Sequence, residues 1–564
     1  MALSAAALAA MKTSRFVAVV VGTLLLSGSA AHGASEPFFD GLGVYERKVT
    51  TSSPEAQKYF NQGLRFLFGF NHGAAIRAFQ AAAAADPACA MAHWGIALAS
   101  GPHINFPAVP PPAAELAWKE LGLARENSGK ATAVERDLIE ALGHRYANPQ
   151  PEDRHPLDEA YAAAMRGVWN DHPQDPDCGA LFAEAMLDLR PWDQWTPQGE
   201  AQPGTEEIIK TLDTVLAISP EHPFANHLYI HTVEASPHPE RANAAADRLR
   251  RLQPGLAHNV HMPSHIDIRC GRWFEAVDSN VRAIEADQKY RAIVGPPRDF
   301  IIIYAAHNRH MLTYAAMMTG QSELALKHIR EMVTEMPTEF VKEYAPFVDG
   351  LLAMPYEVLV RFGRWDEMLL EPEPPDYLPL SRALRHAARA LAFAAKNDVN
   401  TAGAERVAFE SGVKLVPKES TVGNSPAAAV IEIAQHMVAG EISYRAGKVD
   451  EGLAELRRAV EAEDALRYDE PPDWILPVRH ALGAVLLKER RFAEAEQVYR
   501  EDLKRLPENG WSLYGLSRTL QGEEQTDKAS AVEQRFQKIW AHADIVIESS
   551  CLCQTIEPAR VVLK

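Results

Sequence analysis

The chain lacks most of the features that would settle its chemistry by motif. Five cysteines among 564 residues cannot make a dense disulfide framework. Cys89, Cys178 and Cys270 fall in helical stretches and read as packing, whereas Cys551 and Cys553 would form a local disulfide, a thiol metal site, or neither. There is no basic excess: 57 Lys and Arg stand against 75 Asp and Glu, a net charge of −18, which excludes a nucleic-acid partner held through phosphates. Beyond the N-terminus no apolar run is long enough to cross a bilayer. The only approach to a phosphate loop, "GLARENSGKAT" at 122–132, has two residues too many between its glycines and Ala131 where Ser or Thr is needed. Neither a GxSxG elbow nor a GxGxxG turn after a strand occurs, and strand signals are sparse throughout.

What is present is ordinary in bulk and unusual in arrangement. A hydrophobic fraction of 47% with 23% charged residues describes a folded globular chain, long enough for several domains or a repeat array. The N-terminus reads as an address: Lys12 and Arg15 precede an apolar stretch from Phe16 to Leu26, and small residues continue to Ala34. That is the layout of a secretory signal peptide, with residues 1–10 as an upstream extension. Cleavage after Ala31 or Ala34 would leave a periplasmic or secreted protein, and no Cys follows the stretch to carry a lipid anchor.

The rest repeats. "RFLFGFNHGAAIRAFQAAAAADP" (65–87), "HIDIRCGRWFEAVDSNVRAIEAD" (265–287), "SYRAGKVDEGLAELRRAVEAE" (443–463) and "LKERRFAEAEQVYREDLKRLP" (487–507) share one plan of helix, short turn, small residue and second helix. This resembles the tetratricopeptide repeat, a helix pair of about 34 residues. Gly63, Ala75, Ala82 and Pro87 fall at that family's Gly, Ala, Ala and Pro, and Ala276, Ala325 and Ala495 match its small second-helix residue. About six units lie along 55–520, interrupted between 100 and 220 by the loop-like "FPAVPPPAA", "ANPQPEDRHP" and "RPWDQWTPQGEAQPG". The resemblance implies an all-α fold, a curved α-solenoid whose first helices line the concave side.

The signatures "LRPWDQWTP" (189–197), "NHLYIHTVEASPHPERA" (226–242), "HMPSHI" (261–266) and "YDEPPDWILPVRHALG" (468–483) further resemble a bacterial family of exported tetratricopeptide proteins, which implies fold and export but no settled activity. The expected organisation is a signal peptide (1–34), an N-terminal helical region (35–220), central histidine-rich units (221–335), a C-terminal repeat region (336–540) and a CxC tail (541–564).

"AHNVHM" at 257–262 returns as "AHNRHM" at 306–311, and the repeat explains why. Ala242 to Ala276, His227 to His261 and His231 to His265 are each 34 residues, while Ala276 to Ala325, His258 to His307 and His261 to His310 are each 49. An insertion around 291–300 accounts for the difference. At about 100° per residue, His227 with His231, His258 with His261 and His265, and His307 with His310 share helix faces. The tetratricopeptide resemblance turns those faces into the concave groove and leaves Val260, Met262 and Met311 for the core. Nine of the 21 histidines fall between 222 and 310. His pairs at i and i+4 are a recurrent way to offer two nitrogens to one ion.

Seven metal ligands are therefore expected: His227, His231, His258, His261, His265, His307 and His310, with Glu234 as ligand or general base and Asp267 supporting a ligand from behind. Imidazoles with a carboxylate suit Zn, Cu, Fe or Ni. His72 would sit in a turn, His93 in packing, and His103 in a loop able to approach the groove. The "RPWDQWTP" and "YDEPPDW" loops read as solenoid connections rather than lids. Two functions remain open: a metal-dependent hydrolase or oxidoreductase acting on a small molecule or peptide in the groove, and a non-catalytic periplasmic protein that binds a peptide, handles metal or engages a protein partner.

Overall fold

The computed structural model describes residues 36–296 and 300–554. The expected signal segment lies outside the described residues. The architecture is an α-solenoid of tetratricopeptide-type helix pairs, and the described residues hold only one small sheet, a hairpin pairing Thr421–Val422 with Ser425–Pro426. No described helix is long and apolar enough to cross a membrane.

The first pair shows the local rules. Helix α1 (Pro54–Phe68) starts on Ser53, whose side chain accepts from the Ala56 N–H, with Pro54 at the first helical position; α2 (His72–Ala85) starts on Asn71, which accepts from Ala74. Between them Phe70 takes a left-handed backbone, φ 54°. The same device recurs: Gly271 (φ 74°), Gly320 (71°), Gly447 (80°) and Arg490 (58°) close later turns. Like Phe70 before Ala75, Gly271 precedes Ala276, Gly320 precedes Ala325 and Arg490 precedes Ala495 by five residues. Gly63 of α1 and Gly95 of the next helix, α3 (Ala90–Ala99), face the Phe79 ring so closely that a Cβ on either would lie 2.6 Å from it.

Helices continue through the proline-rich region (Pro111–Glu126, Ala133–Leu142, His155–Asp171, Pro176–Leu187 and Thr205–Ile218), and its prolines sit mainly in loops and helix starts. The central units follow. They are α4 (Pro223–Val233) with α5 (Asn243–Leu252), then α6 (Ala257–His261) running into α7 (Pro263–Arg269) with α8 (Trp273–Val294), then α9 (Ile301–Met318) with α10 (Ser322–Glu335). Pro263 has no N–H to donate, so α6 and α7 are separated at Met262. The 15-residue insertion appears as extra length on α8, which runs for 22 residues against 14 for α10, plus the segment leading to α9.

The histidine faces of the expected concave groove are buried, because both ends fold back onto the central units. The Phe68 carbonyl accepts from His227 Nδ1 at 3.1 Å and Asn259 Nδ2 at 3.3 Å, while Gln253 Nε2 donates to the Leu42 and Arg65 carbonyls. From the other end, Trp273 Nε1 donates to Pro507, Trp511 Nε1 donates to Met317, and the Asp544 carboxylate accepts the Ser322 and Glu323 N–H groups that open α10. The groove becomes an interior. Two hydrophobic cores result, one gathering residues from Leu42 to Ile266 with Tyr304, the other from Ile268 to Cys553. Cys551 and Cys553 form a disulfide.

Candidate metal centre

All seven expected histidines are buried at the seam of the two cores, none more than 6% exposed. Six of them gather into two trios. Helix α4 supplies His227 and His231 one turn apart and α6 adds His258; His261 and His265 follow across the α6–α7 junction, and α9 adds His307. One nitrogen from each member of a trio lies within 4.8 Å of the others. His310 stands apart, its ring 6.5 Å from that of His307, with neither nitrogen hydrogen-bonded among the described residues.

The hydrogen bonds behind the rings fix which nitrogen faces inward. His227 Nδ1 meets the Phe68 carbonyl, an acceptor, so it carries the proton. His231 Nδ1 donates to Glu234 Oε1 at 3.0 Å, and His265 Nδ1 donates to Glu234 Oε2 at 2.7 Å. His261 Nδ1 lies 2.7 Å from Asn280 Oδ1, and the Asn280 amide is oriented by its own donation to the Ala276 carbonyl. Each of these four rings therefore presents a bare Nε2 lone pair.

Those lone pairs point at one another. His227 and His231 bring their Nε2 atoms to 3.2 Å, and His261 and His265 bring theirs to 2.8 Å. Two acceptors at that distance repel unless a cation lies between them. Burial first, with neighbouring charges adding, holds His227, His258, His261 and His307 well below the ordinary imidazole range, which disfavours a proton on those four rings. His231 is also lowered by burial, against the pull of Glu234. The spacings match metal ligation, where nitrogens about 2.0–2.1 Å from one zinc are about 3.3 Å apart in a tetrahedron and about 2.9 Å at a right angle. His258 and His307 complete the trios with both ring nitrogens unpartnered among the described residues.

Glu234 lies behind the rings. Burial works against its charge, but the His265 and His231 rings hold it below the usual carboxylate range. It grips two histidines at once, which fits orientation better than proton transfer at a reacting atom. A further group of Glu234, His265 and Glu470 also lies within 4.8 Å, but it meets His265 on Nδ1, already held by Glu234. Asp267 does not support a ligand: it pairs with Arg250 at 2.6 Å and Arg272 at 2.8 Å.

The two loops read as mere connections are corrected to walls of the site. Trp192 of "RPWDQWTP" packs edge-on against His231 at 5.4 Å and donates from Nε1 to Asn105 Oδ1. Asn105 in turn donates to the Tyr304 hydroxyl, and the Tyr304 ring lies 4.3 Å from His258. Glu470 of "YDEPPDW" brings Oε2 to 3.6 Å from His265 Nδ1, with burial and Glu234 pushing its pKa well up. Phe70 covers the first trio, 4.4 Å from His227 and 5.5 Å from His258. His103 and His72 stack on each other at 4.2 Å beyond Phe70 and join neither trio, and His93 pairs with Glu120. Met262 and Met311 pack in the cores as expected. Asn280, Phe70 and Tyr304 escaped the sequence reading; only Phe70 carried a signal, an aromatic at a turn position that several other units give to glycine.

No family model and no curated protein matches the chain. Solved structures with a likeness include the human IFIT1 dimer with m7Gppp-AAAA, 12% identical over 87% of this chain and 92% of that one, with a TM-score of 0.32. The APC/C hetero-tetramer Cut9–Hcn1 is 11% identical over 92% of this chain and 77% of that one, with a TM-score of 0.29. Overlaps this loose carry no argument about ligand or activity.

Proposed function

We infer that the chain is a metal-dependent enzyme that holds transition-metal ions on its buried histidines. The observation that carries this reading is the pair of Nε2–Nε2 contacts, with every Nδ1 involved tied to an acceptor. Three protein nitrogens per ion is the pattern of catalytic rather than closed structural sites, because one coordination position stays open for water or substrate. Bound there, an ion supplies either an activated water or a redox partner. All-imidazole sets suit Zn, Cu, Fe or Ni. The protein's own part is to fix each ring, exclude water with Phe70, Trp192 and Tyr304, and limit access.

Burial also bears on the substrate. Ligands no more than 6% exposed suit a small molecule better than an extended peptide, so the rival peptide-binding reading has less support. The signal-like stretch ending at Ala34 is consistent with a periplasmic or secreted setting.

Metal content of the untagged chain, by elemental mass spectrometry, tests the reading beside His231→Ala/His265→Ala, which removes one ligand from each trio. Stoichiometric metal in the parent, reduced to background in the variant, is expected. The metal found then selects the assay, hydrolytic for Zn and oxidative for Cu or Fe. A chain that takes up none of Zn, Cu, Fe or Ni would leave a peptide-binding solenoid as the better account.

A further inference from the structure

We propose that the chain holds two ions side by side, one on His227, His231 and His258 and one on His261, His265 and His307, and that Glu234 orients both. This rests on the metal reading above and sharpens it. Six of the seven histidines are not one diffuse ligand field; they are one site built twice by the repeat.

The repeat arithmetic makes the case. Each trio consists of an i, i+4 pair on one unit and a third histidine from the first helix of the next. The pair 227/231 moves by 34 residues to 261/265. The third ligand moves from His258, thirteen residues before Gly271, to His307, thirteen before Gly320. Moving the site once more gives His310 with Tyr314, and Gly350, thirteen before Gly363, as the third member. Tyrosine and glycine stand where two ligands are required. The series therefore ends at two sites, and His310 is the leftover of an incomplete third, which explains its isolation from both trios.

The two sites are neighbours. The His231 and His265 rings are 6.2 Å apart and those of His258 and His261 are 6.0 Å apart. Glu234 lies where the trios meet, its two oxygens divided between His231 Nδ1 of one and His265 Nδ1 of the other. One carboxylate thus fixes the tautomer of a ligand in each site, and anything that turns it disturbs both. Glu234 is a positioning residue here. The unpartnered nitrogens of His258 and His307, buried and aimed into separate trios, are the independent sign that each trio has its own occupant.

Zinc titration of the metal-free full chain, read by native mass spectrometry, tests this with His258→Gln and His307→Gln, each of which deletes one third ligand. We expect two zinc ions per parent chain, one per chain in either single variant, and near none in the double variant, with unchanged helical circular dichroism. Glu234→Ala should weaken zinc at both steps by about 10- to 100-fold, while Glu234→Gln, which can accept from only one Nδ1–H, should weaken one step more than the other. Copper(II) loading adds a readout that a merely structural role would not move: paired ions broaden or quench the paramagnetic resonance signal, and His258→Gln or His307→Gln restores an isolated one. One ion in the parent, lost on changing either His258 or His307, would overturn the two-site proposal and leave the metal reading standing. No ion in the parent would overturn both.

Discussion

At the scale of single residues, what separates His310 from the candidate ligands is the company each ring keeps. His227, His231, His261 and His265 have an acceptor on Nδ1, His258 and His307 have none but each joins a pair of those rings, and His310 has none and joins neither trio. Burial pushes the His310 pKa down to about 3 from an unfolded value of 6.5. The sign follows from linkage: below pH 6.5 the unfolded chain takes up a proton that the native ring refuses, so stability falls as pH falls, until the native ring itself titrates near 3. The loss is about 1.4 kcal/mol per pH unit for one such histidine, and nothing is lost above pH 6.5. His310→Leu should therefore flatten the acid dependence of the metal-free protein by about that slope between pH 6 and 4, in urea unfolding read through the core around α9. It should also keep the metal. Metal lost from His310→Leu, by elemental mass spectrometry, would return His310 to the ligand set.

At the scale of elements, the sequence made the helix pairs, their turns and the registered histidines readable, because each rests on local spacing: small residues at 34 and 49, pairs at i and i+4. It concealed whatever depends on chain closure. His227 meets the Phe68 carbonyl across 159 residues, Trp192 and Glu470 come from loops, and no period announces such meetings. One packing device was half visible. Gly63, Phe79 and Gly95 stand sixteen residues apart, and so do Gly483, Tyr499 and Gly515 near the other end. In both places an aromatic ring of a second helix is clamped between glycines of flanking first helices, with room for nothing more: a Cβ on Gly515 would lie 2.1 Å from the Tyr499 ring. Gly515→Ala should cost about 1–3 kcal/mol through overpacking. Gly122, on the Pro111–Glu126 helix, would meet nothing within 4 Å, and Gly122→Ala should instead gain up to about 1 kcal/mol from helix propensity. Melting temperatures of the two variants should move in opposite directions; a shared direction would mean that propensity, not the clamp, governs Gly515.

At the scale of the whole molecule, the site lies where the two cores meet, on helices that serve both: α8 packs Tyr290 against the first core and Trp273 in the second, and α9 gives Tyr304 to the first and Met311 to the second. The N-terminal return, through Phe68, Gln253 and Asn259, stays with the first core, and the C-terminal return, through Trp273, Pro507, Trp511 and Met317, stays with the second. Between them run the α7–α8 connection and the second trio, where His261 and His265 reach His307 on α9. An ion on that trio binds the native seam and not either half alone, so its binding free energy becomes coupling between the cores. Ligand at a hundredfold over its dissociation constant adds about 2.7 kcal/mol to the state that binds it. That is a sizeable fraction of a typical domain stability of about 5–15 kcal/mol. In scanning calorimetry the metal-loaded chain should unfold in one heat-absorption peak, and the chelated chain should show an earlier and divided one. His307→Gln should divide the peak even with zinc present, because it cuts the seam. His258→Gln should leave it single, because the first trio is built largely within the first core. Identical division by the two variants would show that the cores are coupled by packing around the whole histidine cluster and not through the ion on α9.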